Sequence, residues 1–179
     1  MRHSFILKNA ALLSLFFLLV TLLQWSLGDA YLRDKVLNTS LWALTTITAV
    51  GFGVFNLQRV KKQMGFILLK DAFALSFLPI FIALIANGIF KLVLFNYIDP
   101  TYIELSRKFT VENTLKLKEK VVKTLGEKPF DELLQQAKTF NPYTLRAIGI
   151  SITFSIFGYL FPTLILAALL KKNPSIDEV

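Results

Sequence analysis

Asn87 and Lys91 stand inside the apolar run from Ala72 to Phe95, one helical turn apart and on one face of a helix. A polar side chain in lipid costs free energy unless it is hydrogen-bonded, paired or wet, so each is a candidate for ligand chemistry. An amide beside an ammonium group is what an ion- or proton-coupled site would use. The plainer role is structural: hydrogen bonding for Asn87, and snorkelling of Lys91 to the interface. Gln24 and Asn56 lie nearer span ends, and no charged group falls at mid-membrane.

The remaining chemistry-bearing residues offer less. Glu112, Glu119 and Asp131 imitate an acid–base pair, yet they sit among lysines at the spacings of solvated ion pairs. The chain has no cysteine and a single histidine, His3, which removes thiolate sites and leaves too few ligands for an ordinary transition metal. It has no glycine-rich phosphate loop, serine elbow or paired-histidine helix. The expectation is a non-catalytic protein without a cofactor.

The elements that must position Asn87 and Lys91 are helices in a bilayer. Apolar runs at about residues 9–27, 39–57, 72–95 and 143–170 approach or exceed the 20 or so residues that span a hydrocarbon core. The first is too long for a signal peptide, and Ser26-Leu27-Gly28-Asp29-Ala30 is a poor cleavage site, so it reads as an uncleaved span. Asn38-Thr39-Ser40 offers N-cap chemistry for the second, and Gly65 separates its basic end from the third. Pro79 predicts a kink in the third. Asn141-Pro142 opens the fourth, Lys171-Lys172-Asn173-Pro174 stops it, and the tail Ile176 to Val179 is expected to lack fixed structure.

Residues 99–140 are a charged insert that cannot enter lipid. Asp99-Pro100 reads as a cap and first helical position, and Thr101 to Leu125 as one amphipathic helix with Val111, Leu115, Val122 and Leu125 on one stripe. Gly126 ends it, and Pro129 starts a shorter helix carrying Phe130, Leu133, Leu134 and Ala137. The fold expected is all-α and polytopic: four transmembrane helices, one membrane domain over residues 1–179, and a soluble amphipathic helical hairpin between the third and fourth spans.

Four spans put both termini on one side. Arg2, Lys8, Arg59, Lys61, Lys62, Lys70, Lys171 and Lys172 lie there, against Arg33 and Lys35 in the first connection opposite. The positive-inside rule makes the termini cytoplasmic and the insert periplasmic. Trp25, Tyr31, Trp42, Tyr97, Tyr102 and Tyr143 gather at the opposite interface, as an aromatic belt does. The insert's own lysines oppose this orientation, but long loops obey the rule less.

Small and hydroxyl residues recur at helical spacing: Ala10, Ser14, Thr21 and Gly28; Thr45, Ala49 and Gly53; Ala147, Ser151, Ser155, Gly158 and Pro162. Such lines let helices approach closely within a bundle, or form an oligomer seam or a pore wall. The net charge of +8 is carried by residues flanking spans or mixed with acids, which points to headgroups rather than nucleic acid.

From Lys70-Asp71-Ala72-Phe73, through Phe95-Asn96-Tyr97-Ile98-Asp99-Pro100, to Asn141-Pro142 and Leu169-Leu170-Lys171-Lys172, the chain resembles an uncharacterised membrane-protein family. This is domain of unknown function 4199, found mainly in Bacteroidota. The resemblance implies a four-span bacterial inner-membrane protein with a variable insert between its last two spans. It supplies no activity, cofactor or catalytic residue.

Three roles follow. The leading one is a non-catalytic accessory or assembly subunit, docking a membrane-protein partner through Val111, Leu115, Val122, Leu125, Phe130, Leu133 and Leu134. These residues can also cover one another or lie on headgroups. The rival is a small oligomeric channel or transporter with Asn87 and Lys91 facing the pathway. The third is a lipid-surface binder that uses the insert's lysines.

Overall fold

The computed structural model describes residues 2–171, so Lys172, Asn173-Pro174 and the tail Ile176 to Val179 lie outside the described residues. Every element is helical. They are α1 (Arg2–Leu27), α2 (Asp29–Arg33), α3 (Lys35–Met64), α4 (Leu69–Val93) with a π-helical turn (Leu94–Ile98), α5 (Thr101–Lys116), α6 (Lys118–Leu125), α7 (Glu127–Thr139) and α8 (Leu145–Leu170). Four stretches are long and apolar enough to cross a membrane: Phe5–Leu27, Lys35–Gln63, Leu69–Ile98 and Leu145–Leu170.

Helix α4 is the hub, packed against α1, α3 and α8. Its sequence explains why. Small residues Ala72, Ser76, Ala83 and Gly88 are all buried, so neighbouring backbones come close. A Cβ on Gly88 would stand 2.6 Å from Ile152 Cδ1, and one on Gly53 of α3 would stand 3.3 Å from Ser76 Cβ. Pro79 lies inside α4 and is buried. Pro removes a backbone donor there, and Ser76 Oγ donates to the Ala72 and Phe73 carbonyls one turn back, which keeps the hydroxyl satisfied in lipid.

Two apolar clusters stack through the bundle. Leu13, Phe17, Ala49, Ile80 and Ala83 fill its middle. Leu57, Ile67, Ala72, Leu75 and Ala167 fill the end nearer the termini. Helix α8 is the loosest member, burying only Ile148, Thr163 and Ala167.

At the other end, Leu94, Phe95, Tyr102 and Ile103 form a third cluster that seats the insert. The Phe95 ring lies 4.6 Å from Tyr102 and 4.0 Å from Tyr143, centroid to centroid. The π turn, closed by the Asp99 N–H donating to the Leu94 carbonyl at 2.8 Å, buries Leu94 and Phe95 together. Asn96 Nδ2 donates to the Leu92 and Tyr143 carbonyls at 2.9 and 2.8 Å, tying α4 to the start of α8. Tyr102 is therefore core rather than belt, and burial raises its phenol above the ordinary value.

Several helix boundaries differ from the sequence reading. Asp34, not Asn38-Thr39-Ser40, caps α3: its Oδ1 accepts the Val36 and Leu37 N–H groups, and residues 38–40 lie inside the helix. A carboxylate holds the positive end of a helix better than an amide or hydroxyl further along. Thr144 caps α8 by accepting the Ala147 N–H, while Asn141 Oδ1 closes a turn onto the Tyr143 N–H. The expected single helix from Thr101 to Leu125 is broken at Leu117, whose N–H bonds back three residues to Thr114. Thr110 and Thr114 hydroxyls donate to the carbonyls four residues before them, a pattern that bends helices.

Candidate functional site

The four spans do not close on one another over their whole length. A cavity of about 740 Å³ lies between α1, α3, α4 and α8, within the roughly 300–1,000 Å³ of small-ligand pockets. Thr21 and Gln24 of α1, Asn38, Thr45 and Thr46 of α3, and Ser151, Ser155 and Tyr159 of α8 line it. Asn87 and Lys91 come from α4, and Tyr31 of α2 lies at the insert end. Its deep residues Phe17 and Tyr159 sit near the middles of their spans. Below them the central apolar cluster forms a plug, so the cavity is one-sided.

A second cavity of about 460 Å³ shares the walls Asn87, Lys91, Ser151 and Ser155 and reaches Phe140, Pro142 and Tyr143. Lys91 is the one charged residue lining either space. It has no ion-pair partner among the described residues. It stands seven residues before the end of its span at Ile98, about 10 Å along the helix. Asn87 accepts a hydrogen bond from Thr21 Oγ1 through its Oδ1 at 2.8 Å, which joins α1 to α4 and leaves the amide nitrogen as a donor at the cavity wall. At the insert end, burial raises the Tyr31 phenol above its ordinary value, so it remains a neutral donor. An ammonium group, an amide and several hydroxyls around one space can bind an anion; the cavity holds no carboxylate to bind a cation.

The chemistry of the cavity does not identify a family, but the sequence as a whole does. Residues 7–172 match the family described as protein of unknown function (DUF4199). The chain belongs to this family. No curated protein and no solved structure matches it.

In this DUF4199 chain the small-residue lines divide by role. Ala10, Ala49 and Gly53 are buried between helices, Thr21 is buried and also reaches the cavity, and Ser151, Ser155, Gly158 and Pro162 of α8 line the cavity. Pro162 also lacks the N–H that would bond to the Gly158 carbonyl. On the far side of the plug, Asn9 and Asn56 are buried, and their side-chain nitrogens have no partner among the described residues. Tyr31, Trp42, Thr46 and Tyr159 were not singled out as ligand candidates by sequence; hydroxyl pairs in apolar runs, such as Thr45-Thr46, were the available signal.

The residues of the insert separate. Phe130 is buried within the DUF4199 insert, with Lys118 Nζ 5.8 Å from its ring centroid. Val111, Val122 and Leu134 are half-buried. Leu115, Leu125 and Leu133 remain exposed, joined by Leu117 and Phe140. The base of the insert is fixed to the bundle. Arg33 donates to both carboxylate oxygens of Glu112 at 2.6 and 3.1 Å, and also to Asp29 at 2.7 Å. The Trp25 indole donates to Asp99 at 2.8 Å. The Thr101 hydroxyl and then that indole hold the Asp99 carboxyl below the usual carboxylate range.

Proposed function

We propose that this four-span membrane protein is a non-catalytic carrier-type binding protein that takes a small anionic group into the one-sided cavity between its spans. One observation carries the reading: Lys91, the single charge on the cavity wall, has no carboxylate partner among the described residues. An ammonium group costs about 2.5–3.5 kcal/mol at the centre of a bilayer on insertion scales and less where Lys91 stands, and a bound anion offsets that cost. A closed plug below the cavity argues for a carrier rather than an open channel. The unpartnered amides of Asn9 and Asn56 beyond the plug are groups that would gain water if that side opened. Purified protein in vesicles would be tested for thermal stabilisation and uptake with a panel of organic and inorganic anions. Stabilisation and uptake that vanish in Lys91→Gln support the reading, and a panel that treats the two proteins alike ends it.

A second reading rests on Leu115, Leu125 and Leu133, which are exposed on an insert outside the apolar spans. It makes the insert a soluble contact surface and the protein an accessory or assembly subunit for a membrane partner or for copies of itself. A mild-detergent pull-down of tagged protein, with mass determination of the eluate, tests it. Loss of a stoichiometric companion on changing Leu115 and Leu125 to Asp supports the reading, whereas a companion-free monomer in the wild type rules it out.

For either role we place the protein in a bacterial inner membrane with the termini cytoplasmic and the insert periplasmic. The support is the comparison of the eight lysines and arginines on the termini side with the two, Arg33 and Lys35, in the first connection opposite, the insert's own basic residues being left out of the count.

A further inference from the structure

The cavity has two ways out, and they differ. Toward water, α2 stands at its insert end: Tyr31 lines the space, and Arg33, two residues on, is held to α5 through its pair with Glu112. Toward lipid, the wall between α3 and α8 is bounded by Trp42 and Phe154. Both residues line the cavity, yet Trp42 is 66% exposed and Phe154 74%. Side chains that line the space and are this accessible stand at its rim, which puts the sideways opening of the cavity at Trp42 and Phe154. The looseness of α8 is consistent with this, because all that it buries beyond Ile148 lies below the opening at Thr163 and Ala167.

Polarity along the membrane normal adds a second constraint. The groups nearest the insert end are Tyr31, Asn38, Gln24 and Lys91, whereas the deeper part mixes Phe17, Leu84 and Pro162 with the hydroxyls of Thr46, Ser155 and Tyr159. The one charge and the amides thus stand at the end where a lipid in the leaflet on the insert side carries its headgroup. The long stem of Lys91 lets its ammonium rise toward the headgroup level.

We infer that the anion is the phosphate or carboxylate headgroup of a membrane lipid, which enters sideways between Trp42 and Phe154 and is held by Lys91 and the Asn87 amide. This rests on the anion-binding reading above and adds the source and the route. The cavity encloses the headgroup and the adjoining part of the chains, and the remainder of the chains stays in the bilayer through the opening.

The test uses the full chain in vesicles with photoactivatable lipids that share acyl chains and differ in headgroup. The anionic probe is expected to label peptides carrying residues 42–46 and 151–155 roughly tenfold more than the zwitterionic one, as a preference near 1.4 kcal/mol gives. Lys91→Gln should reduce labelling to the zwitterionic level, and Lys91→Arg should keep it. Equal labelling by both probes, or a preference that survives Lys91→Gln, overturns the inference. If inorganic phosphate or glycerol phosphate competes the label away, a water-soluble anion occupies the site: the lipid assignment fails and the anion reading stands. If neither lipid nor soluble anion distinguishes wild type from Lys91→Gln, both fail. Should Lys91→Gln not fold, the headgroup comparison and the competition still decide, since both use the wild-type chain.

Discussion

The Thr21 hydroxyl donates to the Asn87 side-chain oxygen over 2.8 Å, and this bond engages the acceptor end of the amide. With the oxygen engaged by α1, the NH2 group is left to the cavity. Asn87→Asp keeps the acceptor for Thr21 but sets a carboxylate one turn from Lys91, where an i,i+4 ion pair forms. It should therefore preserve folding and abolish anion-dependent stabilisation. Asn87→Leu removes the bond itself, and Thr21 can turn back to its own helix, so the expected cost is only about 0.5–1.5 kcal/mol. Thermal unfolding in detergent, with and without anionic lipid, measures both.

Gly88 sets how closely α4 and α8 approach. A Cβ there would meet Ile152 Cδ1 at 2.6 Å and Ile148 Cγ2 at 3.1 Å. Gly88→Ala should destabilise the bundle by about 1–2 kcal/mol, overpacking exceeding the gain in helix propensity. Ile152→Val deletes the atom in closest conflict. The double variant should therefore be more stable than the two single costs add up to, by about 1 kcal/mol. Gly149 has nothing within 4 Å, so Gly149→Ala should be neutral or slightly stabilising under the same assay.

Which parts of this were legible beforehand depends on what each residue pays for being misplaced. Four spans follow from composition alone, because no other arrangement satisfies runs such as 72–95. Asn87 and Lys91 are legible for the same reason: polar groups in lipid are costly enough to mark themselves. The central place of α4 is not legible, since a helix apolar on every side carries no stripe to say which faces meet protein and which meet lipid. Trp42 and Tyr31 read as interfacial aromatics until the helices around them are placed. In the insert, Phe130 and Leu133 belong to one apolar pattern, yet one is buried and the other exposed. The break at Leu117 separates the stripe into two helices, a change set by hydroxyl–carbonyl bonds that sequence patterns do not register. The caps show a further limit. Asp34 and Asn38, or Asn141 and Thr144, are all capping residue types within a few positions, and only backbone geometry selects between them.

Glu112 ties the insert to the bundle in a pH-dependent manner. Its hydrogen bonds from Arg33 hold the carboxyl below the ordinary range, against a smaller opposing effect of burial. A carboxyl depressed in the folded state contributes stability that is fully present above the unfolded value of about 4.3 and is lost as pH falls through the depressed value. At neutral pH the contact is intact. Acidification should loosen α5 from α2 while the spans stay folded, and Glu112→Gln should reproduce part of that loosening at pH 7. Hydrogen exchange of residues 101–116 across pH, corrected for the intrinsic rate, checks it; protection that is the same for both proteins at pH 7 would count against the latch.

The absence of cysteine makes the orientation directly measurable, because any thiol introduced is the single one in the chain. Lys62 is exposed at the end of α3 on the termini side, and Lys120 is exposed on α6 beyond the opposite end of the bundle. A membrane-impermeant maleimide applied to spheroplasts should label Lys120→Cys at once and Lys62→Cys only after permeabilisation. The reverse pattern would invert the protein, in which case the insert's lysines outweigh those flanking the spans. Labelling of both from one side would mean that α4 does not cross the membrane. Because Lys91 lies toward the insert end of its span, the same result fixes which leaflet supplies the ligand. A periplasmic insert makes Lys91 a receptor for the outer leaflet of that membrane, where an anionic lipid must first have been carried across.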